Sequence, residues 1–488
     1  MVASDGQHGT PLIDRLRHCV DRPHAPFYTP GHKRGQGIAP ELRALLGAAV
    51  FQADLPELPE LDNLFAPEGV LQTSQELAAD AFGADRSWFL VNGSTAGLMA
   101  AILATCQTGE KIILPRNVHR SVISGLILSG AMPVFVQPEY DPILDIAHTI
   151  TPAAVAAALE QHPDARAVLM VSPTYYGVCG NIAAIADLAH AHHIPLLVDE
   201  AHGAHFAFHP DLPIPALAAG ADLSVQSTHK TLSAMTQAAM VHIRDQRIEP
   251  DRLTKALSLV QSTSPSYLLL ASLDAARQQM ATRGRELLTQ TLALANQARS
   301  RLSEIPGLSL LQAEQATTPG FVSLDLTRLT VIVTALGLDG FAVDQRLHQQ
   351  YGVTAELPSL RHLTFILSLG NTQADIDQLI QGFAGLAATC RDEPGLPAPP
   401  LPSPTSGTSL LSPRSAFFGV TEFLPPEQAI DRCSAELVCP YPPGIPVLMP
   451  GEKITAEAIA YLQQVLAAGG IVSGCADPTL GRLKVVQN

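Results

Sequence analysis

The chain of 488 residues is short of charge and of organised cysteine. Only 15% of residues are charged, and Asp plus Glu outnumber Lys plus Arg by 45 to 30, a formal net charge of −15. No long Lys/Arg run interrupts this balance, so the chain is a poor candidate for binding nucleic acid or an anionic membrane surface through its bulk field, and neither is expected as a partner. Seven cysteines (19, 106, 179, 390, 433, 439 and 475) are scattered and odd in number, without a CxxC pair. They form neither a disulfide framework nor a zinc site, and no metal is expected. The first residues, MVASDGQHGTPLIDRL, carry early acids and no apolar leader core. The apolar stretch around Ala96–Cys106 is too short to span a bilayer. A soluble cytoplasmic protein is the expectation.

Apolar residues make up 47% of the chain, enough for sizeable cores, and the length suggests about three domains. Short, near-continuously apolar runs at 111–115, 132–137, 167–173, 194–200 and 222–227 read as strands buried on both faces. Ala- and Leu-rich stretches of helical length, such as 181–193, separate them. This alternation predicts βαβ units and a mostly parallel sheet. A polar helix is expected from Ser272 to about Ser303, followed by strands near Gly320–Leu326 and Leu363–Leu369 and a helix near Ala374–Ala387. The expected divisions are an N-terminal arm and interface segment (1–73), a large domain (74–271), a small α+β domain (272–392), a Pro-rich linker (393–413) and a C-terminal α+β domain (414–488).

Four segments bear on chemistry. In VNGSTAGLMAAILA (91–104), Gly93 permits a tight turn, Ser94 and Thr95 offer hydroxyls, and a helix follows at once. Such a start is a natural phosphate cradle, although an ordinary Ser/Thr helix cap looks the same. IPLLVDEAHGAH (194–205) ends a buried strand in Asp199, at the sheet edge where ligands bind in such folds. A carboxylate there can hold a pyridine nitrogen protonated; a helix cap or a magnesium ligand is the plainer alternative. ADLSVQSTHKTLSAMTQAAM (221–240) runs a buried strand into Ser227, Thr228, His229 and Lys230. Partial desolvation of such a lysine favours the uncharged form that attacks carbonyl carbon, whereas most strand-end lysines only reach solvent. NVHRS (117–121) places His119 just past another strand, where it could stack on a flat ring or lie at the surface. Together, in this order, they fit the pyridoxal-phosphate enzymes with an aspartate-aminotransferase-like fold, PLP fold type I.

The chain also resembles the Orn/Lys/Arg decarboxylase family, in a short form without an N-terminal wing domain. The resemblance runs through YTPGHKRG (28–35), LDNLFAPEG (61–69), PTYYGVCGNI (173–182), VDEAHGAH (198–205), QSTHKTLSAMT (226–236), QSTSPSYLLLASLDAAR (261–277) and PYPPGIPVLMPGE (440–452). It implies that Lys230 forms the Schiff base with pyridoxal 5'-phosphate and that Asp199 pairs with the pyridine nitrogen. By the same resemblance His119 stacks on the ring, while Ser94, Thr95 and Ser227 hold the phosphate. His202 lies near the cofactor's oxygen-bearing edge, and His229 lines the pocket and competes with Lys230 as the proton donor. The implied reaction is decarboxylation of a basic amino acid, arginine favoured over lysine or ornithine, in polyamine metabolism and in a homodimer. A carboxylate must pair with the substrate's distal cation, and Glu452 is the first candidate, with Glu436 and Asp62 behind it. Ser233 stands where many relatives carry proline, and Gln237 and Ala238 also depart from the common pattern. An aminotransferase on the same fold, with Arg361 gripping the α-carboxylate, or a catalytically silent regulatory homologue are the alternatives.

Overall fold

A computed structural model describes residues 4–244, 247–390, 410–441 and 445–487. Most of the Pro-rich linker expected at 393–413, and residues 442–444 of the 440–452 motif, lie outside the described residues. The chain divides into two compact units, Met1–Ala104 with Val198–Leu288 and Thr105–Leu197 with Thr289–Asn488.

The apolar runs form a seven-stranded sheet. Its strands are β1 (Arg86–Leu90), β2 (Lys111–Pro115), β3 (Met132–Val136), β4 (Ala165–Val171), β5 (Leu196–Asp199), β6 (Leu223–Gln226) and β7 (Ala239–Ile243), in the order β1-β7-β6-β5-β4-β2-β3. β2 runs parallel to both β3 and β4. β7 runs antiparallel to β1 and β6. All residues of β5, β6 and β7 are buried, as the lack of alternation in the sequence predicts. All five expected strands form. β1 and β7 were not marked by the sequence: β1 begins on the exposed, polar Arg86 and β7 follows a polar stretch, so neither reads as an isolated apolar run.

Helix α1 (Gly93–Thr105) follows β1, α2 (Arg120–Ser129) follows β2, and α3 (Ile182–Ala191) is capped by the Asn181 side chain. A single turn, α4 (Thr228–Thr231), follows β6. α5 is one helix of 37 residues, Tyr267–Ser303. In the second unit β8 (Ser309–Leu310), β9 (Arg328–Ile332), β10 (Leu357–Pro358) and β11 (His362–Ile366) form an antiparallel sheet, β8-β9-β11-β10. Leu329, Val331, Leu363 and Phe365 of this sheet pack with Ile376 and Phe383 of α6 (Gln373–Thr389). The strand expected over Gly320–Leu326 shortens to Ser323–Leu324, which pairs with Val178–Cys179 instead of joining that sheet. A turn from Phe321 N–H to the Thr318 carbonyl bends the chain just before it. In the C-terminal segment β12 (Thr421–Leu424) pairs with β15 (Leu483–Val486) and β13 (Cys439–Tyr441) with β14 (Ile471–Ser473). Helix α7 (Ala456–Ala467) supplies Ile459, Leu462 and Val465, and the first two belong to the core cluster that closes this small body.

Candidate active site

β5 and β6 are neighbours, and chemistry-bearing residues of the first unit end β5 and follow β6. Asp199 closes β5 and is 4% exposed, with Oδ1 accepting the Ala201 N–H at 3.2 Å. Burial pushes its pKa up to about 6, against the opposing pull of that N–H and of the Lys230 charge. Lys230 follows β6 in α4, and its Nζ lies 3.0 Å from Nε2 of the buried His202. His229 Nδ1 lies 2.9 Å from the Ala238 carbonyl, which also takes the His229 backbone N–H at 3.1 Å. A carbonyl only accepts, so Nδ1 carries a proton.

The start of α1 lies against the same strand ends. Gly93 adopts φ +72°, which favours glycine, and the helix begins there. Ser227 Oγ donates to Ser94 Oγ at 2.7 Å, joining the end of β6 to the first turn of α1. Thr95 beside it is exposed. Gly97 explains the close approach: a Cβ there would lie 2.7 Å from Val225 Cγ1 and 2.8 Å from Leu90 Cδ1. A helix start with free amide donors and clustered hydroxyls suits a phosphate, and a desolvated carboxylate suits a protonated ring nitrogen. These residues fit pyridoxal phosphate.

His119 belongs to the second unit, where it caps α2. Its Nδ1 accepts the Ser121 N–H at 3.3 Å and lies 2.8 Å from Ser121 Oγ, which fixes the plane of the half-buried ring.

The three acids considered for the substrate's distal cation have internal partners. Glu452 is 2% exposed and its Oε2 accepts from Arg116 at 2.9 Å, inside the protein instead of on an open surface. Burial raises its pKa, with the Arg116 charge opposing. Glu436 is buried and accepts the Ala476 and Lys484 N–H groups at 2.6 and 3.0 Å. Asp62 accepts N–H bonds from Asn63, Glu68, Gly69 and Leu71. Burial raises the Asp62 pKa, but these donors outweigh it and bring the carboxyl below its ordinary range. Arg361 is buried and donates to the Pro142 and Ile143 carbonyls, both at 3.1 Å. Ser233, a departure in the lysine segment, donates to Gln279 Oε1 at 2.6 Å.

Two site-building residues escaped the sequence reading. Glu200 is buried beside Asp199 and accepts from Ala216 N–H (2.7 Å), Ser224 Oγ (2.6 Å) and Gln226 Nε2 (2.8 Å), tying β5 to β6. Arg116 is the other, and the only signal for either was adjacency to Asp199 or to the 117–121 segment. Among the described residues no group of three or more His, Cys, Asp or Glu is arranged to hold a metal ion.

Residues 10–375 match the Orn/Lys/Arg decarboxylase major domain, and residues 412–477 match the C-terminal domain of the same enzymes. The chain belongs to the Orn/Lys/Arg decarboxylase family. It is 41% identical to an arginine decarboxylase of Bacillus subtilis over 99% of this chain and 98% of that protein. It is 40% identical to an arginine decarboxylase of Halalkalibacterium halodurans, again over 99% and 98%. The crystal structure of the Francisella novicida lysine decarboxylase LdcF superposes with a TM-score of 0.82 at 22% identity, covering 99% of this chain and 82% of that one. That likeness bears on the fold, which is fold type I with an additional C-terminal α+β body. No described helix is long and apolar enough to cross a membrane.

Proposed function

We propose that this member of the family decarboxylates arginine, with pyridoxal phosphate bound at Lys230. The observation that carries the reading is the meeting of Lys230, His202 and Asp199 at the ends of two adjacent strands. Arginine is favoured over lysine and ornithine because full-length relatives near 40% identity are arginine decarboxylases.

When bound, pyridoxal phosphate supplies the electron sink for the pair left behind as the α-carboxylate departs as carbon dioxide. Asp199 keeps the pyridine nitrogen protonated, a task suited to a carboxylate that burial makes more basic. Ser94, Thr95, Ser227 and the first amides of α1 hold the phosphate. His119 stacks on the ring, and His202 fixes the Lys230 amine at the sheet edge. Lys230 or His229 returns a proton to the α-carbon.

The assembly we read is a cytoplasmic homodimer. The helix Pro40–Leu46 buries none of its residues, and Leu42, Leu45, Leu46 and the nearby Phe27 are exposed. Such apolar surface beside the 28–35 segment suits a second copy of the chain. A role in polyamine metabolism follows from the product such a reaction yields. The aminotransferase reading loses its α-carboxylate grip, because Arg361 is engaged by two backbone carbonyls.

The test is carbon dioxide release by purified protein with pyridoxal phosphate, given arginine, lysine and ornithine separately, beside a Lys230→Ala variant. Release from arginine that the variant abolishes is expected. A visible cofactor band that depends on Lys230, with no release from any of the three, would overturn the decarboxylase reading and leave cofactor binding standing.

A further inference from the structure

The C-terminal segment holds the strand-to-helix turn that carries His119 at Arg116, and it holds the helix α2 that follows at its other end. Arg116 directly follows β2, three residues before His119, and is 2% exposed. Its guanidinium donates to the Pro446 carbonyl at 2.8 Å, the Val447 carbonyl at 3.0 Å and Glu452 Oε2 at 2.9 Å. The Met449 N–H also reaches Glu452 Oε2, at 3.2 Å. The Arg116 backbone N–H meets the Val136 carbonyl at 3.0 Å, so the residue is pinned to β3 as well. At the far end of α2, Arg414 Nη1 donates to the Ile127 and Leu128 carbonyls at 2.9 and 3.0 Å. Arg116 Nε and Glu452 Oε1 are buried without a hydrogen-bond partner among the described residues. A planar guanidinium held by three converging acceptors still cannot turn without leaving more of a buried charge short of partners.

We propose that the Arg116–Glu452 pair is the clamp through which the C-terminal domain positions His119. Glu452 is then a positioning residue, and the substrate's cation is met elsewhere. The inference rests on the reading that His119 meets the cofactor ring. Ser121 already fixes the imidazole on the helix, so the remaining freedom is that of the whole turn, and that freedom is what Arg116 removes.

The experiment is titration of cofactor-free protein with pyridoxal phosphate, read by visible absorbance and visible circular dichroism, for Glu452→Gln, His119→Ala and the double variant. Glu452→Gln is expected to weaken cofactor affinity about tenfold, the scale of one lost charge-assisted hydrogen bond. It should also reduce the dichroism of the bound cofactor and lower kcat for arginine more than it raises KM. The double variant should bind no more weakly than His119→Ala alone, because both substitutions act on one ring. Arg414→Ala, at an exposed side chain, probes the other end of α2 and is expected to weaken cofactor affinity about threefold even if the buried pair proves essential for folding. Additive losses in the double variant would overturn the clamp. So would a Glu452→Gln protein whose KM for arginine rises while cofactor affinity and dichroism stay unchanged. Failure of the wild-type protein to bind pyridoxal phosphate would remove the clamp together with the reading beneath it, a result separate from either of these.

Discussion

Lys230 and His202 are 28 positions apart in the chain, and Nζ of the one lies 3.0 Å from Nε2 of the other. They arrive from the ends of the adjacent strands β6 and β5. The imidazole holds the lysine whichever of the two carries the shared proton, and the tautomer of His202 follows the charge on Lys230. The pair thus sets a lysine rotamer before any ligand arrives.

Replacing His202 with alanine removes that restraint from the lysine. Turnover of arginine is expected to fall about tenfold or more, since misplacement of a reacting group by a fraction of an ångström is costly. Lys230 itself remains, so reduction with borohydride should still trap the cofactor on it. Steady-state carbon dioxide release together with peptide mapping checks both. An unchanged kcat would show that His202 does not hold the lysine in its working position.

Gly97 makes a second prediction, about the phosphate end of the site. A methyl group there would press on Val225 and Leu90 at distances no real contact adopts, so α1 must back away from β6. Over-packing of this kind costs about 1–3 kcal/mol. The 2.7 Å link from Ser227 to Ser94 spans the same gap, so the two hydroxyls proposed to hold the phosphate separate as well. Gly97→Ala should lower the unfolding midpoint of cofactor-free protein and weaken pyridoxal phosphate more than it weakens arginine. Normal cofactor affinity in a destabilised variant would mean that the hydroxyl pair is not part of the phosphate site.

What the sequence made legible was whatever leaves a local trace. The five buried strands announce themselves as apolar runs; Asp199 is visible because it ends one such run, and Lys230 because it lies a few residues past another. Helix α6 extends only a residue or two beyond the expected span at either end, because Thr372 and Asp375 form a capping box at its start. Pairings between distant residues leave no trace. Glu452 reads as an acid available to a substrate until the fold sets Arg116 against it, 336 positions away. Glu200 is silent for the same reason, since its three donors come from 16 to 26 residues further on. β1 and β7 escaped because they combine polar and apolar residues while lying beside one another and β6, where pairing outweighs propensity.

Asp199 carries the last prediction, and its sign can be worked through. Burial raises its pKa from 3.8 to about 6, so the folded protein favours the protonated acid more than the unfolded chain does. Between those values the folded state holds the extra proton, and stability falls as pH rises through the window. Above it the full cost of the buried charge is present, about 3 kcal/mol for a rise of that size. Below pH 3.8 both states are protonated and the cost vanishes. Asp199→Asn keeps the shape and the acceptor for the Ala201 N–H while removing the charge. Cofactor-free Asp199→Asn protein is therefore expected to resist urea better than the wild type at pH 8, with the gain shrinking as pH falls toward 4. Its turnover should nevertheless drop by about a hundredfold or more, because an amide does not stabilise the protonated pyridine nitrogen. Urea unfolding at the two pH values and carbon dioxide release at pH 8 separate the two effects. A variant less stable than the wild type at pH 8 would show that the carboxylate is compensated in the folded protein, and retained turnover would sink its assignment to the pyridine nitrogen.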